Sequence, residues 1–230
     1  MIHVDMPSEP ENFHIRVKSP GYEFLQQVPN PSSRQWRAHS YWRRVLKEFY
    51  EQLNGICMYC ATYTPFAQED AGITQVSIDH FVPKSIGDHY HAYHWDNFRM
   101  CRIRLNHLKE NAVDIVDPYL IANGDFTLDF TTFLLSPNPN LDAQMRRSIQ
   151  ASIDVLRLNK DSAYVNERTR AVYHYVAKNI SWEDFKKKYP FIAYEMVSQD
   201  FERAIRPIFE SVIANPQIRA TLVKQKILDQ

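Results

Sequence analysis

Apolar side chains recur at three- and four-residue steps over about 35–53, where Trp42, Val45, Leu46, Phe49 and Leu53 form one stripe. That period predicts a single helix, and Asn54-Gly55 supplies its left-handed stop. A second helical texture begins after Leu141, with Ile149, Ile153, Leu156 and Leu158 on one stripe. Further helices are predicted over about 162–178, 181–188 and 198–214, with Ser181 and Asp184 as an N-cap pair. Between these stretches, 56–111 has short apolar runs broken by turn residues. Ile78, Phe81 and Val82 predict a brief strand stopped by Pro83, 97–103 a second, and 105–110 a short helix. Residues 114–140 read as loop, except that Phe126, Leu128 and Phe130 alternate as a strand would. The first 34 residues are rich in Pro, Ser and Asn, and predict an extended arm docked by Phe13, Tyr22 and Phe24.

The fold class is therefore α+β, a small two-strand-and-helix core inside a mostly helical chain. The expected organisation is an N-terminal arm (1–34), a core with its preceding helix (35–118), and a helical region packed on that core (119–230). Composition agrees with a folded protein: 44% of residues are hydrophobic, 13% aromatic, and Gly is scarce at 5. Lys plus Arg equals Asp plus Glu at 27 each, so there is no global positive field, and any affinity for a polyanion must come from a local patch or a partner. Three cysteines are too few, and odd in number, for a disulfide framework. Neither a leader-like apolar segment nor a long uncharged apolar run is present in the sequence, so a cytoplasmic protein without membrane association is expected.

Candidate chemistry lies in 56–111, which also holds all three cysteines and five of the nine histidines. In 78–85, Ile-Asp-His-Phe-Val-Pro-Lys-Ser, Asp79 beside His80 offers a metal ligand and a proton acceptor together. Strand neighbours point to opposite faces, so one site can use both only where the strand ends, and Pro83 permits that. Asn97 sits between the aromatic residues Trp95 and Phe98, where an amide can tie two loops through its donors and acceptor. On a short helix Asn106 and Lys109 share a face. The Asn106 amide oxygen suits a hard cation, and Lys109 a phosphate. Each element alone is equally a turn or a solvated basic helix.

In this order the elements resemble the HNH, or ββα-metal, nucleases: Asp-His on a first strand, a central Asn, then Asn with Lys three residues on. Asn97 and Asn106 stand nine residues apart, a gap typical of that family. Cys57-Met-Tyr-Cys60, 77–85, 95–100, Asn106 with Lys109, and Val116-Asp-Pro-Tyr119 look like the HNH component of Septu and retron-associated anti-phage systems. The stretch 152–159 followed by Arg168 is similar to the helical tail of that group. The resemblance covers about 42–175. It implies an endonuclease that hydrolyses nucleic acid, DNA in preference to RNA, with an ATPase of the same defence operon as partner. It also implies Mg²⁺ or Mn²⁺ held by Asp79 and Asn106, His80 as general base, Asn97 orienting the loop that carries His80, and Lys109 with Lys84 on phosphate. An unperturbed imidazole would lose activity below about pH 6.

Many HNH proteins also hold zinc between two Cys-x-x-Cys pairs. Cys57 and Cys60 form one such pair, but Arg104 stands where Cys101 would need its mate. No structural zinc is expected, because a closed site shows four recognisable ligands and small buried thiols explain three. Two other readings compete: a degenerate HNH fold that binds without cutting, and a regulatory subunit whose helical tail (141–228) matters more than its core.

Overall fold

The computed structural model describes residues 1–67 and 74–229. It is α+β, about 52% helical, with two small antiparallel sheets. Chain contacts divide it into two units. The first, here the site unit, comprises Val4–Tyr59 and Tyr63–Tyr119; the second, the helical unit, comprises Met1–His3, Cys60–Thr62 and Leu120–Gln230.

The site unit opens with a helical pair. A π-helical turn, His14–Lys18, runs directly into α1 (Ser19–Gln27). This corrects the extended arm. Phe13, Val17, Phe24 and Leu25 are buried at helical spacing. Pro20 breaks nothing, because the first turn of a helix needs no N–H there. Gly21 lies against the ring of Tyr93, where any Cβ would overlap the ring. The long helix expected over 35–53 is also corrected. It is α2 (Ser33–Ala38), a 3₁₀ turn (Tyr41–Val45) and α3 (Leu46–Gln52). Ser32 and Gln35 form a capping box at the start of α2. The break follows because Ser40 Oγ donates to the Arg37 carbonyl (3.0 Å), competing with the helix for that acceptor. His39 leaves helical geometry and stacks on Phe24 (3.8 Å between centroids). Asn54 and Gly55 both have positive φ, and they end α3 as their sequence predicts.

Strand β1 (Val76–His80) pairs antiparallel with β2 (Phe98–Arg102), setting Asp79 opposite Arg99 and His80 opposite Phe98. Helix α4 (Ile103–Lys109) follows β2 without a linker. Alternation along β1 splits its residues between two faces. Ile78 and His80 face the aromatic core, which includes Phe13, Trp42, Phe49, Trp95 and Phe98. Ser77 and Asp79 face α4, whose Asn106 and Lys109 bond to them.

In the helical unit, β3 (Phe126–Leu128) pairs with β4 (Leu135–Pro137). Six α-helices follow among the described residues: α5 (Ala143–Val155), α6 (Ser162–Val176), α7 (Trp182–Lys188), α8 (Pro190–Ser198), α9 (Arg206–Ala214) after a π turn at Phe201–Ile205, and α10 (Pro216–Lys224). The helix expected over 198–214 is thus corrected to the end of α8, a left-handed Asp200 and α9. Helices α8 and α10 both begin at a proline that reads as a breaker in sequence and sits in the first turn in space. Among the described residues no helix is long and apolar enough to cross a membrane.

Candidate functional site

A cavity of about 780 Å³ opens beside the end of β1, lined on one side by Ser77, Asp79 and His80 with Asn106, and on the other by 33–47. His80 stands at its inner wall, 5% exposed, with its ring edge-on to Trp42 (4.5 Å) and Phe98 (5.5 Å). Its two nitrogens have unlike neighbours. Nε2 lies 3.0 Å from the Ala92 carbonyl, which can only accept, so Nε2 carries the hydrogen. Nδ1 lies 3.3 Å from the Lys84 ammonium, which can only donate, so Nδ1 carries the lone pair. Both neighbours assign one tautomer.

Burial holds the His80 imidazole well below its ordinary pKa, and the nearby Lys84 charge adds to that. The ring is therefore neutral through its ordinary titration range. Lys84 is lowered as well, chiefly by burial. Its ammonium also sits 5.1 Å from the centre of the Trp42 ring.

Asp79 is 3% exposed. Tyr59 Oη donates to its Oδ2 (2.6 Å), and Lys109 Nζ lies 3.1 Å from the same oxygen. Burial raises the Asp79 carboxyl, with Lys109 and then Tyr59 opposing. Burial raises the Tyr59 phenol well above its usual value. Lys109 Nζ donates also to the carbonyls of His80 (2.9 Å) and Phe81 (3.1 Å). These three acceptors use all three ammonium hydrogens, in a side chain with no exposure. The expected phosphate contact by Lys109 is therefore corrected. Its charge is spent inside, on the strand end, and it does not line the cavity.

Asn106 Nδ2 donates to Ser77 Oγ (3.0 Å) and to the Ile78 carbonyl (3.2 Å). A carbonyl accepts only, so that atom is the nitrogen and the other is the oxygen. The set thus offers a carboxylate and an amide oxygen from two residues that line the cavity, with Tyr59 and Lys109 as the carboxylate's outer partners. Hard oxygen donors of this kind fit a cation that keeps several waters, as Mg²⁺ does, and hydrogen-bonded carboxylates are usual in such sites. Among the described residues no group of three or more His, Cys, Asp or Glu could hold a metal ion.

Asn97 does not line the cavity. Its Oδ1 accepts from Val82 N (2.7 Å), and its Nδ2 donates to the carbonyls of Val82 (3.1 Å) and His91 (3.0 Å). It clamps the loop after β1 to the 3₁₀ turn His89–Tyr93, whose Ala92 carbonyl receives His80. Cys57 and Cys101 are buried and Cys60 half-buried. Cys57 Sγ accepts from Arg102 N (3.4 Å).

Tyr59 and Trp42 went unread as site residues. Tyr59 sits inside a cysteine pair that draws attention to its neighbours, and Trp42 belongs to a helical stripe. Neither has a local signal, because their partners are 20 and 38 residues away in sequence. Comparisons with protein-family models, with curated proteins and with solved structures find no match to this chain.

Proposed function

We propose that the chain is a metal-dependent nuclease of the HNH kind, hydrolysing phosphodiester bonds of nucleic acid, DNA by preference. The observation that carries this reading is His80. It is a neutral imidazole fixed in the Nε2–H tautomer, with Nδ1 beside Lys84, and His80, Lys84, Asp79 and Asn106 all line one cavity. Nδ1 takes the proton of a water whose oxygen forms the new bond to phosphorus, while the bond to the leaving ester oxygen breaks. The Ala92 carbonyl stabilises the imidazolium that forms, through Nε2–H. Lys84 leaves Nδ1 for the incoming phosphate, freeing the lone pair and neutralising charge. Asp79 and Asn106 would hold Mg²⁺ or Mn²⁺, which supplies charge stabilisation at the phosphate and the leaving oxygen. Tyr59 and Lys109 keep the Asp79 carboxylate in place.

The test is metal-dependent cleavage of single- and double-stranded DNA and RNA. His80→Ala should cut about 100-fold more slowly or worse, the usual scale for losing a positioned base, with unchanged metal affinity. Asp79→Ala should weaken metal binding itself. Near wild-type cleavage by His80→Ala, where Asp79→Ala is inactive, would end the assignment. The resemblance also proposes a setting, an anti-phage system in which an ATPase is the partner. Co-purification of the chain with such an ATPase tests it.

One observation favours a second reading, a binding module that does not cut. The Asp79 carboxylate is already engaged by a buried lysine and a tyrosine hydroxyl. That reading predicts nucleic-acid binding with no cleavage in any divalent metal.

A further inference from the structure

The cavity has an uneven charge. Among the described residues, Arg37, Arg43, Arg44, Lys47 and Lys84 line it, against the carboxylates Asp79 and Glu110. Asp79 is already offset by Lys109. A chain with zero net charge thus concentrates positive charge here. Four of the five cations come from one short stretch, α2 to α3, on the wall facing β1.

These four are not equally free. Arg44 Nη1 donates to the Arg16 carbonyl (2.9 Å), and its guanidinium lies over the Tyr41 ring (4.4 Å). Lys47 stands 4.0 Å from Glu51, one helical turn on, with both side chains mostly exposed. Arg37 and Arg43 are exposed and make no ion pair among the described residues. A helix-rich segment that buries Trp42, Val45 and Phe49 fixes where these side chains start. Solvated arginines with no ion-pair partner among the described residues, on the wall of a polar cavity, suit phosphate oxygens, which the guanidinium fork can bind in pairs.

We propose that the α2–α3 wall is the binding surface for the phosphodiester backbone of the substrate. Arg37 and Arg43 are the principal contacts, Lys47 is a weaker one, and the strand passes over the wall to the phosphate at His80. The proposal rests on the nuclease reading and assigns its substrate grip to this chain, so a partner protein is not required for it. Nucleic acid is favoured over an acidic polypeptide because the charged wall is continuous with the cavity that holds His80.

The experiment measures binding of labelled single-stranded and duplex oligonucleotides to the full chain in EDTA, so that binding is read without cleavage, across a salt series. Arg37→Gln/Arg43→Gln should bind at least tenfold more weakly at low salt. The slope of log affinity on log salt should shrink by about 1.4 for a single strand, or about 1.8 for duplex, the amount for two lost phosphate contacts. Arg37→Lys/Arg43→Lys should keep most of the slope, and Lys187→Gln/Lys188→Gln, an equal charge change on α7, should bind as wild type. Unchanged thermal melting separates loss of contact from loss of fold. Wild-type affinity and slope in Arg37→Gln/Arg43→Gln would overturn the proposal, and if His80→Ala still abolished cleavage the nuclease reading would survive it. Polyglutamate competing as well as the oligonucleotide would also overturn it. A wild-type chain that neither binds nor cuts nucleic acid would remove both.

Discussion

Asp79 in the site unit and Glu195 in the helical unit are both buried carboxylates, 3% and 2% exposed, and they are held in different ways. Asp79 meets other ionisable side chains, the Lys109 ammonium and the Tyr59 phenol. Glu195 meets two amides, its Oε2 accepting from Leu128 N (2.8 Å) and Gln199 Nε2 (2.9 Å), and the N-terminal ammonium is the charge that acts on it. Arg168, also in the helical unit, follows the second pattern. Its Nε donates to the Phe133 carbonyl (2.8 Å) and its Nη2 to the Leu158 carbonyl (3.0 Å). Asn159, beside Leu158, pairs with both the N–H and the C=O of Leu135. Glu195 and Arg168 therefore brace the β3–β4 hairpin against helices by finishing its backbone hydrogen bonds. In the site unit charge is stacked on charge at the edge of a cavity. The contrast separates buried charge used as carpentry from buried charge kept beside a reactive space.

Breaking the ionic pattern should have the largest effect. Lys109→Met leaves Asp79 buried without its cation and the His80 and Phe81 carbonyls without a donor. It should destabilise the site unit by about 3–5 kcal/mol. Urea unfolding read through tryptophan checks this, since Trp36, Trp42 and Trp95 all lie in that unit. Adding Asp79→Asn should recover part of the loss, and a double variant no more stable than Lys109→Met alone would contradict the pairing. Breaking the brace should cost less. Arg168→Met strands two carbonyls and should destabilise the helical unit by about 1–3 kcal/mol, read through Trp182. Burial lowers Arg168 to about 10, so the guanidinium stays charged through neutral pH and the loss should not vary with pH there.

Glu195→Gln should have the smallest effect and the most specific signature. Burial raises the Glu195 pKa above 4.5, so between that value and the raised one the folded state binds more protons than the unfolded state. Stability from this group is fully present below the unfolded value and is lost as pH rises through the folded one. A glutamine keeps an oxygen for Leu128 N and does not ionise. The variant should match wild type near pH 4 and equal or exceed it at pH 7, in denaturant titrations at both pH values. A fixed offset at the two pH values would show that ionisation of Glu195 plays no part.

What could be read in the sequence depended on how local its cause was. The strand through Ile78 ends at His80, short of the predicted Phe81 and Val82, whereas the extended run before Ile103 and the helix through Asn106 follow from residues within a few positions of one another. The same holds for the cap at Ser181 and the stop at Asn54-Gly55. Elements that failed had a local signal pointing the wrong way. Pro20, Pro190 and Pro216 look like breakers and begin helices instead. Ser40 looks neutral and interrupts one, through a single hydroxyl bond to Arg37. Within the candidate site, Asp79, His80, Lys84 and Asn106 were legible as a cluster, and the structure lines one cavity with them. The inward use of Lys109 was not legible, because only its three acceptors, 28 to 30 residues earlier, decide where its ammonium goes.

Asn97 holds the backbone on both sides of His80. Its amide nitrogen holds the His91 carbonyl, and the next carbonyl along, that of Ala92, holds His80. Its side-chain oxygen meanwhile holds Val82, two residues beyond His80. Aspartate at 97 would face two carbonyls with a negative oxygen, and leucine would offer them nothing. Either change would turn the imidazole without touching it. Among descendants of this chain, position 97 should tolerate less drift than exposed residues much closer to His80, and a substitution there should be followed by compensating change in 81–82 or 89–93.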